Sequence, residues 1–139
     1  MTELDAIAAR LRGGTALAGL LDAAFDAFEV IRLVARAGED LAPDLFAAFI
    51  TTAGAAVEGR NALGDAPSLP PATGPPPAVA LSATARAGQI ADELAALAAL
   101  LAQRLAEEGA LAVGEGDRAA CQHAANAATD IHRLLAPGP

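Results

Sequence analysis

A chain of 139 residues with a net charge of −8, one cysteine and neither tryptophan nor tyrosine is tightly bounded. Its length fits one domain that buries roughly 68–70% of its unfolded surface, so a core needs no disulfide or metal staple. The acidic balance, with nine scattered arginines and no lysine, excludes a nucleic-acid surface. Four phenylalanines confined to 25–49 leave little for a base-stacking platform.

Alanine excess and all-arginine basic residues carry the imprint of a GC-rich bacterial genome. A lone Cys121 bars an intrachain disulfide. The chain opens on Met-Thr-Glu-Leu-Asp, acidic where a secretion signal is basic. The longest uncharged helical stretch, Leu45 to Val57, falls short of the ~20 residues of a membrane span. A soluble, cytoplasmic protein is expected.

The pattern predicts an all-α bundle of four long helices and a short N-terminal one. Thr2 is placed to cap the first, whose stripe is Leu4, Ile7, Ala8 and Leu11 and whose stop is Gly13-Gly14. The step Arg10-Leu-Arg12-Gly13-Gly14-Thr15 sets two cations and flexible backbone before a helix N-terminus, a candidate anion site; its plainer reading is a turn with a threonine cap.

The second helix runs from Thr15 to about Ala37 and stops at Gly38. Leu17, Leu20, Leu21, Ala24, Phe25, Phe28 and Ile31 fill most of it. Asp22, Asp26 and Glu29 lie within ~60° of one another, about 4.5–6 Å apart along the axis. They are the candidate metal ligands, or simply the face left to water. No Glu-x-x-His occurs, so the di-iron chemistry of ferritin-like bundles is not expected.

The third helix starts near Asp40 or Ala42, with Pro43 in its first turn, and ends near Leu63 before Gly64. Its two stripes, Leu45, Phe49 and Ala56 beside Phe46, Ile50, Ala53 and Val57, exceed what one neighbour covers, which points to a homodimer. Phe25, Phe28, Phe46 and Phe49, with Arg32 and Arg60 as anchors, form a candidate small-molecule site.

Residues 66–78 hold six of the nine prolines and should be extended without regular structure. From Gly64 to Leu81 such a segment spans on the order of 50 Å, against ~33–40 Å for the long helices. It can cross the bundle, so helices three and four are able to run parallel; otherwise it links two hairpins. The fourth helix is expected from Ser82 to Glu108 with Gly109 as stop, on a near-heptad seam of Ala83, Ala87, Ile90, Leu94, Leu97 and Leu101. The fifth runs from Asp117 to Leu135 on Cys121, Ala124, Ala128, Ile131 and Leu135, leaving 136–139 as a disordered tail.

Cys121, His123, Asp130 and His132 cannot share one ion, because no two combine a common face with a near height on the helix. Cys121 lies on the apolar seam as a small hydrophobe. No catalytic constellation and no cofactor motif is legible. The expected function is a helical interaction module that self-associates or docks on a protein partner; the alternative is a small-molecule or anion-binding bundle.

Overall fold

The computed structural model describes residues 2–13, 16–72 and 74–136. The described residues form five α-helices and one 3-10 turn, with no strand: α1 (Thr2–Gly13), α2 (Leu17–Gly38), the turn Pro43–Leu45, α3 (Phe46–Gly64), α4 (Ala87–Leu111) and α5 (Glu115–Leu135). The all-α bundle is therefore present, with α1 at 12 residues beside helices of 19 to 25. No helix among the described residues is long and apolar enough to cross a membrane.

Side chains from all five helices meet in one core. α2 packs on α3, α3 on α5, α5 on α4 and α4 on α2, closing a ring, and α1 lies on α2 and α4. Thr51 and Glu58 of α3 share a hollow with Asp130 and Leu134 of α5, while beyond the C-terminus of α3 Ser68 bonds to Asp117 in the first turn of α5. α3 and α5 are thus antiparallel. α4 is antiparallel to α5 as well, since Ala95 meets His132 and Gly109 meets Cys121. α3 and α4 consequently run parallel, and the proline-rich segment is the crossover that returns the chain to the far end of the bundle.

Local chemistry moves several helix boundaries. The third helix was expected from about residue 40, but Pro43 heads a separate 3-10 turn and α-geometry begins only at Phe46. α4 begins at Ala87 rather than Ser82, because Ser82 is engaged in a turn: its Oγ accepts from the Thr84 N–H and its carbonyl from the Ala85 N–H. Ala83 is therefore exposed and outside the seam, whereas Ala87, Ile90, Leu94, Leu97 and Leu101 are buried as expected.

Gly109 does not stop α4, which continues to Leu111. A methyl group on Gly109 would stand 2.6 Å from the Cys121 Cβ, so this glycine is a packing site between α4 and α5. The seam of α5 is buried throughout, from Cys121 to Leu135. Residues 66–72 and 74–78 hold no regular secondary structure. In the predicted tail, only Ala136 is among the described residues.

The two hairpins reach close approach by different means. In α2–α3 a missing side chain admits a ring: a Cβ on Gly59 would stand 2.3 Å from Phe28, and one on Gly38 would stand 3.3 Å from Phe49. In α4–α5 the close approach is at Gly109 against Cys121, and both helices bury several alanines, Ala91, Ala95 and Ala98 on α4 and Ala120, Ala124, Ala125 and Ala128 on α5. α2 is the enclosed helix, with Val30 and Val34 buried along with its main stripe.

Candidate functional site

The acidic stripe of α2 is not left to open water. Arg10, in the last turn of α1, reaches across with Nη1 2.9 Å from Asp26 Oδ2 and Nη2 3.3 Å from Asp22 Oδ2. One guanidinium thus bridges both carboxylates, at the place where a shared cation would bind. One turn further along, Glu29 accepts two hydrogen bonds from Arg32, at 3.0 and 3.1 Å, and a third from Arg60 of α3. With a side chain only 14% exposed, Glu29 is the charged tie between α2 and α3. The hydrogen bonds from Arg32 lead in holding its carboxyl below the ordinary value; burial works against them, and Arg60 reinforces them.

The crossover passes over this stripe and closes a cleft of about 580 Å³. Its floor is Asp22, Phe25, Asp26 and Glu29, its ends are Arg10 and Arg60, and its roof is Leu69, Pro70, Ala72, Gly74 and Pro75 to Pro77. Six residues assigned by sequence to three separate candidate sites therefore line one cavity: Arg10 from the anion site, Asp22, Asp26 and Glu29 from the metal site, Phe25 and Arg60 from the small-molecule site.

The other candidates lie elsewhere. Phe28 and Phe49 are fully buried in the α2–α3 core, where Gly59 and Gly38 make room for their rings. Phe46 is exposed on α3. Arg32 is turned to the opposite side of Glu29, into a shallow hollow with Arg36, Ile50 and Gly54. Arg12 and Gly13 are exposed at the end of α1, and Gly14 and Thr15 fall outside the described residues. α2 itself takes Ala16 as its N-cap, with no side-chain capping bond.

Among the described residues no three His, Cys, Asp or Glu side chains converge as a metal ion requires. Cys121 is fully buried, and burial, then the charges of Asp117 and Glu108, push its thiol up, away from the reactive thiolate.

Two features escaped the sequence reading. Asp117 was read only as the start of a helix, yet its buried carboxylate accepts from both the N–H and the Oγ of Ser68, at 3.0 and 2.6 Å. The roof of the cleft, too, has no sequence signal beyond proline content, since nothing local states which helix a crossover will lie on. Comparison with known proteins gives no match to a family model, a curated protein or a solved structure.

Proposed function

We propose that the chain is a helical interaction module that self-associates, with a second copy covering the outer face of α3. The carrying observation is that, among the described residues, four of the six exposed large apolar side chains, Leu41, Phe46, Ile50 and Leu134, border the outer face of α3, while Leu111 and Val113 stand apart at the corner between α4 and α5. Phe46 and Ile50 stand one turn apart on α3 at 43% and 44% exposure, and Leu41, at 44%, precedes them at the corner from α2. One turn beyond Ile50, Gly54 leaves open space and joins two hollows, one shared with α2 and the other with Leu134 of α5. The result is a continuous, shallow face with knobs at one end and a flat centre.

Both edges carry charges already paired within the chain, Arg32 with Glu29 and Arg36 with Glu39 on the α2 side and Asp130 with Arg133 on the α5 side, so the apolar centre is what a second copy would cover. Two-fold dimers are the commonest closed assemblies. The bacterial, cytoplasmic setting read from composition accords with such a module. Light scattering coupled to size exclusion at two concentrations is expected to give a dimer, and Ile50→Glu a monomer of unchanged helicity. A wild-type monomer at both concentrations ends this reading.

A second reading, a small-molecule site, is favoured by the cleft beneath the crossover. Asp22 and Asp26 share the single guanidinium of Arg10, which leaves that end acidic, and Phe25 offers a ring face beside it. An organic cation with a flat apolar body suits this lining. Benzylamine is expected to raise the melting temperature of the wild type and not of Asp26→Asn. No shift in the wild type removes this reading and leaves the α3 face untouched.

A further inference from the structure

We propose that the α2 cleft takes a zwitterion, a ligand with an ammonium at one end of a flat apolar body and a carboxylate at the other. This deepens the small-molecule reading above and rests on it. What it adds is a use for the far end of the cleft, where Arg60 stands.

Three acids and three arginines meet along this stripe, but they are not paired one to one. Arg10 alone serves Asp22 and Asp26, bonding Oδ2 of each. Neither Oδ1 has a protein partner among the described residues, and one negative charge at this end is uncompensated. At the other end the ratio is reversed. Arg32 holds both oxygens of Glu29, at 3.0 and 3.1 Å, which already cancels that carboxylate, and Arg60 adds a second cation through Nη1. The Nε and Nη2 groups of Arg60 have no protein partner among the described residues. Arg32 is turned away from the cleft, so the surplus positive charge faces it through Arg60.

The six charges therefore sum to zero while forming a dipole along the cleft. A simple cation suits one end and is repelled by the other, and an anion does the reverse. A zwitterion meets both. Its ammonium donates to the two Oδ1 atoms, and its carboxylate accepts from the paired Nε and Nη2 of Arg60. The helix sets the spacing: at 1.5 Å per residue, the mean height of Asp22 and Asp26 lies about 7.5 Å from that of Glu29. Phe25 stands between these heights and lines the cleft. A ligand lying along α2 spans this distance with a para-substituted ring between its charges, the ring set against Phe25.

Calorimetric titration of the full chain with three probes tests this: benzylamine, 4-(aminomethyl)benzamide and 4-(aminomethyl)benzoate. The benzoate is expected to bind roughly tenfold tighter than the benzamide, as a charge-assisted bidentate contact predicts. Arg60→Gln leaves Glu29 its two bonds from Arg32 and is expected to abolish that preference while benzylamine still binds. Benzylamine binding with no preference for the benzoate in the wild type overturns the zwitterion and leaves the cation reading standing. A preference that survives Arg60→Gln also overturns it, since the carboxylate is then held elsewhere. No binding of any probe ends both. The comparison of benzoate with benzamide uses the wild type alone, so it decides the matter even where Arg60→Gln fails to fold.

Discussion

The two antiparallel hairpins, α2–α3 and α4–α5, solve the same packing problem with different side chains, and they leave apolar groups exposed in different places: Phe46 and Ile50 on the outer face of α3, Leu111 and Val113 at the corner between α4 and α5. α5 is divided along most of its length: Cys121, Ala124, Ala128 and Ile131 face inward, while Gln122, His123, Asn126 and Asp130 face out, with Leu134 alone of its large apolar side chains exposed near the end. α3, its neighbour, buries Phe49, Thr52, Ala53 and Ala56 and still turns Phe46, Ala47, Ile50 and Gly54 outward. A helix whose polar face is complete states only where the core is. A helix that is apolar on both sides exposes more apolar surface than a solvated helix needs, and the proposed self-association rests on this difference.

The packing difference is tested first by truncation. Phe28→Ala empties the ring seat of α2–α3 and is expected to cost about 3–5 kcal/mol in chemical denaturation. Cys121→Ala, at the matching contact of α4–α5, removes a single sulfur and should cost less than half as much. Equal losses would mean that the two seams are energetically alike.

Insertion is the converse experiment. A methyl at Gly59 meets the Phe28 ring at 2.3 Å, and one at Gly109 meets the Cys121 Cβ at 2.6 Å. Each alanine is expected to destabilise by about 1–3 kcal/mol despite its better helix propensity. Gly19→Ala, in open space on α2, gains up to about 1 kcal/mol and serves as control. The ring can turn away from Gly59, but a Cβ cannot leave its backbone. Gly109→Ala should therefore part α4 from α5, seen as a loss of amide protection along both helices.

The pH response separates the hairpins again. Glu29 joins α2 to α3 through Arg60, and its carboxyl lies below the ordinary 4.5 in the folded state. A lowered acid pKa contributes stability that is complete above 4.5 and lost as pH falls through the folded value. Acid should thus loosen α3 before α4–α5, read as earlier exchange of α3 amides, and Glu29→Gln should flatten the dependence.

The smallest effect is expected at Thr52. Its hydroxyl is buried on α3 with no partner, whereas Thr129 on α5 donates to the Ala125 carbonyl at 2.9 Å. Thr52→Val should raise stability by about 1 kcal/mol, and Thr129→Val should not. A loss at Thr52 would show that its hydroxyl has a bonded partner in solution.

The sequence by itself determined the helices, their order and the inward stripes of α4 and α5, because 3.6-residue periodicity and proline act within a few residues of chain. It also marked Arg10, Asp22, Phe25, Asp26, Glu29 and Arg60 as polar or aromatic groups at odds with a plain core, though as members of three separate sites. Their convergence on one cleft was settled only by tertiary structure. It depends on α1 folding back along α2, on α3 presenting Arg60 to Glu29, and on the crossover choosing α2 to lie on. The same holds for Gly59, Gly109 and Ser82. Locally each is a helix breaker or a cap, but its role is fixed by the ring, the cysteine or the turn that long-range packing and hydrogen bonding set against it. Helix signals are short-range and summed along the chain; a site is a meeting of distant side chains, and its geometry exists only once the helices have docked.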